Sequence, residues 1–218
     1  MSVRERLDAI LAQGRLIAVL MIEDAERAVP LARALLAGGV RTLEVTFRTA
    51  AACEAIRRIV REVPRAIVGV GTIRSPDDVH RAIDLGVQFG VSPGTTPKIY
   101  AACAAANLPL LPGAVTASEI LMALDNGCEV IKFFPAVPAG GIPAINALRG
   151  PFPTLRFCPT GGINAGNLAD WLRVPGVVAI GGSWLAPEDK VRVGDWTGIS
   201  EIARRSVAQH ATPPSPAR

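Results

Sequence analysis

Only three lysines occur in the 218 residues: Lys98, Lys132 and Lys190. Two of them flank segments of helical periodicity and read as solvated. Lys132 sits instead in Val130-Ile131-Lys132-Phe133-Phe134, an apolar run of strand length. A charged amine there is costly unless it is paired or neutralised. Free lysine is neutral in only about one molecule in 2,500 at pH 7. Burial and a neighbouring cation raise that fraction, and a neutral amine can attack a carbonyl carbon. Two readings of Lys132 stand together: a nucleophile, or a strand-end lysine that snorkels or pairs with a carboxylate.

Glu44 lies in a second apolar run, Leu43-Glu44-Val45-Thr46. Strand alternation puts Thr42, Glu44 and Thr46 on one face and Leu43 and Val45 on the other. If the apolar pair faces helices, Glu44 points to the strand interior, where a carboxylate can act as general acid or base. A plain Lys132–Glu44 ion pair is the alternative. Arg48 follows on the same strand end and can take a carboxylate bidentately, or simply neutralise Glu44. Thr72 and Thr160 can add hydroxyl contacts or cap turns. Gly161-Gly162 and Gly181-Gly182-Ser183 let backbone N–H groups approach an anion, with the Ser183 hydroxyl as a further donor. The two histidines, His80 and His210, belong to no metal-ligand cluster, so neither zinc-dependent nor His-based hydrolytic chemistry is expected.

Elements of a regular kind must position these groups. Short apolar, β-branched runs recur at 16–21, 42–46, 66–71, 89–91, 108–111, 129–133, 155–159 and 177–181. Amphipathic stretches of helical length separate them, among them 25–37, 50–63, 76–85, 117–126 and 165–174. Strand and helix alternating with few hairpin signals means parallel strands with helical crossovers. Eight such units predict an α/β fold of the (β/α)8 barrel type, whose chemistry lies at the carboxyl ends of the strands. The polar residues named above fall at those ends. Ser75-Pro76-Asp77-Asp78 starts a helix with a capping Ser, Pro in the first turn and acids at the positive end of the dipole. Around Arg4–Asp8 the spacing predicts an N-terminal helix that plugs the barrel floor.

Composition sets the outer limits. A chain that is 50% hydrophobic and 19% charged is an ordered globular protein. We read residues 1–210 as one domain and the Pro-rich 211–218 as a disordered tail. The formal charge of +4 is spread without a basic run longer than two, so no nucleic-acid surface is expected. Cys53, Cys103, Cys128 and Cys158 lie in apolar contexts without CxxC spacing, which predicts reduced thiols in a cytoplasmic protein. The charged N-terminus does not resemble a signal peptide, and no apolar run is long enough to span a membrane.

Taken in order, AGGVRTLEVTFRT (37–49), VGVGTI (68–73), SPG (92–94), IKFFPA (131–136), RFCPTGGI (156–163) and IGGSWL (180–185) make the chain resemble the 2-keto-3-deoxy-6-phosphogluconate aldolases, many of which also act on 2-keto-4-hydroxyglutarate. The resemblance covers residues 10–209. It implies a class I aldolase with a Schiff base on Lys132 and acid/base work by Glu44. It implies Arg48, with Thr72 and Thr160, for the keto-acid carboxylate, and Pro93 and Phe134 as apolar lining of the pyruvate end. Gly161, Gly162, Gly182 and Ser183 would bind phosphate. A phosphorylated 2-keto acid as substrate, a homotrimer and no metal or cofactor are implied as well. The chain departs from the pattern at Val137, where many relatives have glutamate. The alternatives are an aldolase of the C4-epimeric 2-keto-3-deoxy-6-phosphogalactonate, a phosphate-binding barrel isomerase or epimerase, and a non-catalytic sugar-phosphate sensor.

Overall fold

The computed structural model describes residues 1–211, with side chains through 209. Within them eight parallel strands run in chain order: β1 (Leu16–Leu20), β2 (Thr42–Thr46), β3 (Ile67–Gly71), β4 (Phe89–Val91), β5 (Leu110–Leu111), β6 (Val130–Phe133), β7 (Arg156–Pro159) and β8 (Ile180–Gly182). The helices are α1 (Val3–Ala12), α2 (Ala28–Ala37), α3 (Ala52–Glu62), α4 (Pro76–Asp84), α5 (Pro97–Ala105), α6 (Ala117–Asp125), α7 (Gly141–Arg149), α8 (Leu168–Leu172), α9 (Glu188–Val193) and α10 (Trp196–Ala211). The ladders divide into a six-stranded sheet, ordered β5-β4-β3-β2-β1-β8, and a β6-β7 pair. Isolated parallel bridges occur at both junctions, Gly113↔Lys132 beside β5, and Phe157↔Val177 and Thr160↔Gly181 between β7 and β8. The expected strands at 108–111 and 177–181 shorten or shift to Leu110–Leu111 and Ile180–Gly182, since each abuts a junction where pairing is reduced to isolated bridges.

Alternation along the strands sorts the core into two parts. Leu43 and Val45 of β2 belong to the large cluster that includes buried residues of the surrounding helices, such as Leu31, Leu35, Ile56 and Ile59. A smaller cluster gathers Ile17, Phe89, Val91, Leu111, Val130, Cys158 and Ala179 with Leu7 and Leu11 of α1. Its members come from both sheet pieces, so the pieces curl around one interior. Leu7 and Leu11 are four apart and share a helix face. Ser2 starts α1 with a full capping box, its side chain accepting from the Glu5 N–H while the Glu5 carboxylate accepts from the Ser2 N–H. Arg156, the first residue of β7, pairs with Asp8 at 2.8 Å, and Arg4 pairs with Glu129 just before β6. These contacts seat α1 at the amino-terminal ends of the strands, the position expected of a plug.

The expected helices are present, the 165–174 stretch only as the five-residue α8, and α4 carries the predicted cap, with the Ser75 side chain accepting from the Asp78 N–H. The 25–37 stretch starts as a 3-10 turn at Ala25–Arg27 before α2. Ala211 closes α10 and is helical, contrary to its assignment to the tail; the remainder of that stretch, 212–218, falls outside the described residues. Among the described residues no helix is long and apolar enough to cross a membrane.

Candidate active site

Glu44 and Lys132 meet inside the fold. Lys132 Nζ lies 2.9 Å from Glu44 Oε1 and 3.3 Å from Oε2. Both side chains are nearly sealed, at 7% and 2% exposure. The alternation argument for Glu44 therefore holds: its apolar neighbours face the helices and its carboxylate faces the interior. Two features of the backbone make room and hold position. Gly71 of β3 lies so close that any Cβ there would overlap the Glu44 carboxylate. Lys132 is fixed on its other side, its N–H donating to the Pro112 carbonyl at 2.8 Å and its carbonyl accepting from the Ala114 N–H at 3.0 Å.

A buried ion pair of this kind adds little to stability, because desolvating two charges offsets their attraction. Well-packed apolar side chains would serve the fold as well. Proton transfer from Nζ to the carboxylate would leave an amine able to attack a carbonyl.

The apolar wall is also close. Lys132 Nζ stands 5.3 Å from the Phe134 ring centroid. The Pro93 carbonyl packs against Gly113, the residue bridged to Lys132. Thr160, 6% exposed, donates its N–H to the Phe133 carbonyl at 3.0 Å, and its side chain packs on Gly181. Thr72 follows Gly71 with φ 67°, the left-handed region that a β-branched residue rarely adopts. Such strain persists only where surroundings enforce it and concentrates at functional sites.

Arg48 and Ser183 open onto a neighbouring cavity of about 720 Å3, together with Met21, Ile163 and Trp184. Arg48 is exposed and forms no ion pair or hydrogen bond among the described residues. It does not neutralise Glu44, so that alternative is removed. Lys132 and Glu44 are not part of this cavity's lining. The structure thus divides the predicted residues into two neighbouring groups, one around Nζ and one around Arg48 and Ser183.

The glycine turn after β7 has φ 100° at Gly161 and 79° at Gly162, values that glycine adopts without strain. Gly162 packs directly on the exposed Val137 side chain. The N–H groups of Gly162 and Ser183 meet no protein acceptor among the described residues, which leaves two donors for an anion. Also among the described residues, no three His, Cys, Asp or Glu side chains gather to hold a metal ion.

One residue at the site escaped the reading of the sequence. Cys158 is expected only as one of four reduced thiols in apolar contexts, and all four cysteines are unpaired. Yet Cys158 is in register with Lys132 on the adjacent strand. Burial pushes its thiol up to about 12, and Lys132 pulls the other way while Glu44 adds to the rise. It therefore stays neutral beside the ion pair. Its signal was the alternation of RFCPTGG, which puts Cys158 and Thr160 on one face.

The family model described as KDPG and KHG aldolase matches residues 7–202. The KHG/KDPG aldolase of Escherichia coli strain K12 is 46% identical over 200 residues, which cover 92% of this chain and 94% of that protein. The crystal structure of the Legionella pneumophila KDPG aldolase, with pyruvate captured at low pH as a covalent carbinolamine intermediate, superposes with a TM-score of 0.89 at 40% identity, covering 91% of this chain and 97% of that one. The Zymomonas mobilis ZM4 2-keto-3-deoxy-6-phosphogluconate aldolase with 3-phosphoglycerate has the same TM-score at 39% identity, covering 94% and 96%. A sealed lysine–glutamate pair at the strand ends and a family match over nearly the whole chain lead to one statement: this chain belongs to the KDPG and KHG aldolase family.

Proposed function

We propose that the chain cleaves 2-keto-3-deoxy-6-phosphogluconate to pyruvate and glyceraldehyde 3-phosphate through a Schiff base on Lys132. The observation that carries this is the buried Lys132–Glu44 pair at 2.9 Å. The Legionella relative supports it, because a carbinolamine is what an amine forms on the keto carbon of pyruvate. The 3-phosphoglycerate bound by the Zymomonas relative supports a site for a phosphorylated three-carbon fragment.

The steps balance as follows. Glu44 takes a proton from Nζ, and the neutral amine attacks C2 to form a carbinolamine. Loss of water leaves an iminium ion. A base, Glu44 directly or through water, removes the C4 hydroxyl proton. The C3–C4 bond breaks, its electrons pass to the iminium nitrogen, and the aldehyde departs. Protonation of the enamine at C3 and addition of water at C2 release pyruvate and the free amine. Arg48, with Thr72 and Thr160, holds the carboxylate, while Pro93 and Phe134 flank the pyruvate methyl end. Gly161, Gly162, Gly182 and Ser183 hold the phosphate, so remote binding energy aligns the bond to be broken.

The same machinery accepts 2-keto-4-hydroxyglutarate, giving pyruvate and glyoxylate. We further propose a closed eight-stranded barrel, supported by the isolated bridges that join the two sheet pieces, and a cytoplasmic homotrimer.

Borohydride reduction in the presence of pyruvate tests the core of this reading. Mass spectrometry should find the adduct on Lys132, and Lys132→Ala should abolish both adduct and pyruvate release. An adduct on Lys98 or Lys190 would reject Lys132. No adduct at all would favour an isomerase or epimerase in which Lys132 acts only electrostatically. Pyruvate release from the gluconate-type, C4-epimeric and hydroxyglutarate-type acids ranks the substrates.

A further inference from the structure

The two glycine turns assigned to phosphate have a common support outside the strands. Trp184 follows Ser183, and its ring packs on Gly182, so close that a Cβ on Gly182 would overlap it. Its indole Nε1–H donates to Ser206 Oγ of α10 at 3.1 Å. Ser206 is 1% exposed, a buried polar side chain in a helix interior. Three residues on, Gln209 Nε2 donates to the Ala165 carbonyl at 3.2 Å, on the loop that continues from Gly161-Gly162. Residues three apart lie on one face of a helix. One face of α10 therefore holds the β8 turn through Ser206 and the β7 loop through Gln209. Elsewhere the helix is anchored to α2, where the Ala203 side chain packs on Gly38.

We infer that Trp184, Ser206 and Gln209 are positioning residues for the distal anion. They set the spacing between the Gly161-Gly162 and Gly182-Ser183 turns, and hence the fit of a phosphate between them. The inference rests on the phosphate assignment made above. None of the three touches the Lys132–Glu44 pair, so their effect belongs in the binding of the phosphorylated end and not in bond cleavage. A glycine turn has no side chain with which to brace itself, which is why the brace comes from a neighbouring element.

The test compares KM and kcat for 2-keto-3-deoxy-6-phosphogluconate and for unphosphorylated 2-keto-4-hydroxyglutarate. The variants are Trp184→Phe, which keeps a ring but loses the donor, Ser206→Ala and Gln209→Ala, with Ser206→Thr as the conservative rescue. Loss of one such hydrogen bond should raise KM for the phosphorylated acid about fivefold, leave kcat within about twofold, and leave the unphosphorylated acid unaffected. Ser206→Thr should restore KM. Inhibition by inorganic phosphate should weaken in parallel. Equal losses on both substrates would mean a general structural role and overturn the inference, as would no change on either. Ser183→Ala separates the two levels. If it raises the phosphorylated KM while the α10 variants do not, the brace alone fails. If it too leaves KM unmoved and inorganic phosphate does not inhibit the wild type, the phosphate assignment fails and the brace falls with it.

Discussion

The two ends of the strand interior differ in kind. At the amino ends, Leu7 and Leu11 close against Ile17, Phe89, Leu111 and Val130, a dry apolar layer. At the carboxyl ends the same interior holds Glu44, Lys132 and Thr160, all buried and all polar. The change takes one step of two residues, from Val130 to Lys132 on β6 and from Cys158 of β7 to Thr160 just past its end, about 7 Å of extended chain. The lower layer stabilises the fold through burial. The upper layer spends stability on a desolvated ion pair. A parallel-strand fold can separate the two because its loops and helix entries converge at one end.

Substitutions at the two ends should therefore fail in different ways. The largest effect is expected from Glu44→Gln, which keeps size and a partner for Lys132 but removes the base. Its kcat should drop by about 100- to 10,000-fold with the melting temperature little changed. A kcat near that of the wild type would make the pair structural and erase the distinction. Next comes Leu7→Ala in the plug, expected to cost about 2–5 kcal/mol in urea unfolding. Its kcat well below the melting point should match the wild type, and a parallel loss of kcat would show the plug to be coupled to the chemistry. The smallest effect should come from Asp8→Asn, which breaks the Arg156–Asp8 pair. With side chains 29% and 35% exposed, that pair should contribute less than about 1 kcal/mol, and less still at high salt. A larger cost would mean that ionic contacts, as well as burial, secure the amino end.

Much of this was legible in residue order. Leu43-Glu44-Val45 alternates plainly, and Val130-Ile131-Lys132 presents a charge that a strand interior must explain. Helix starts such as Ser75-Pro76 carry local capping chemistry. Other features had no local signal. The α7 segment opens on Gly140-Gly141 with Pro143 in its first turn, residues that read as loop, yet Ile145 is fully buried and anchors it as a helix. Likewise the role of Ser206 depends on a Trp 22 positions away.

By itself the sequence determined the alternation of strand and helix and the inward face of β2, and it singled out Lys132 and Glu44 as charges set in apolar strands. Those follow from periodicity and from the cost of burying charge, which act within a few residues. Tertiary structure alone decided that Glu44 and Lys132, 88 positions apart, lie 2.9 Å from each other. It also decided that Gly71 is small to admit that carboxylate, and that Arg48 stands with Ser183 and not in the ion pair. Such pairings depend on how the sheet curls, and curl is set by packing summed over every strand.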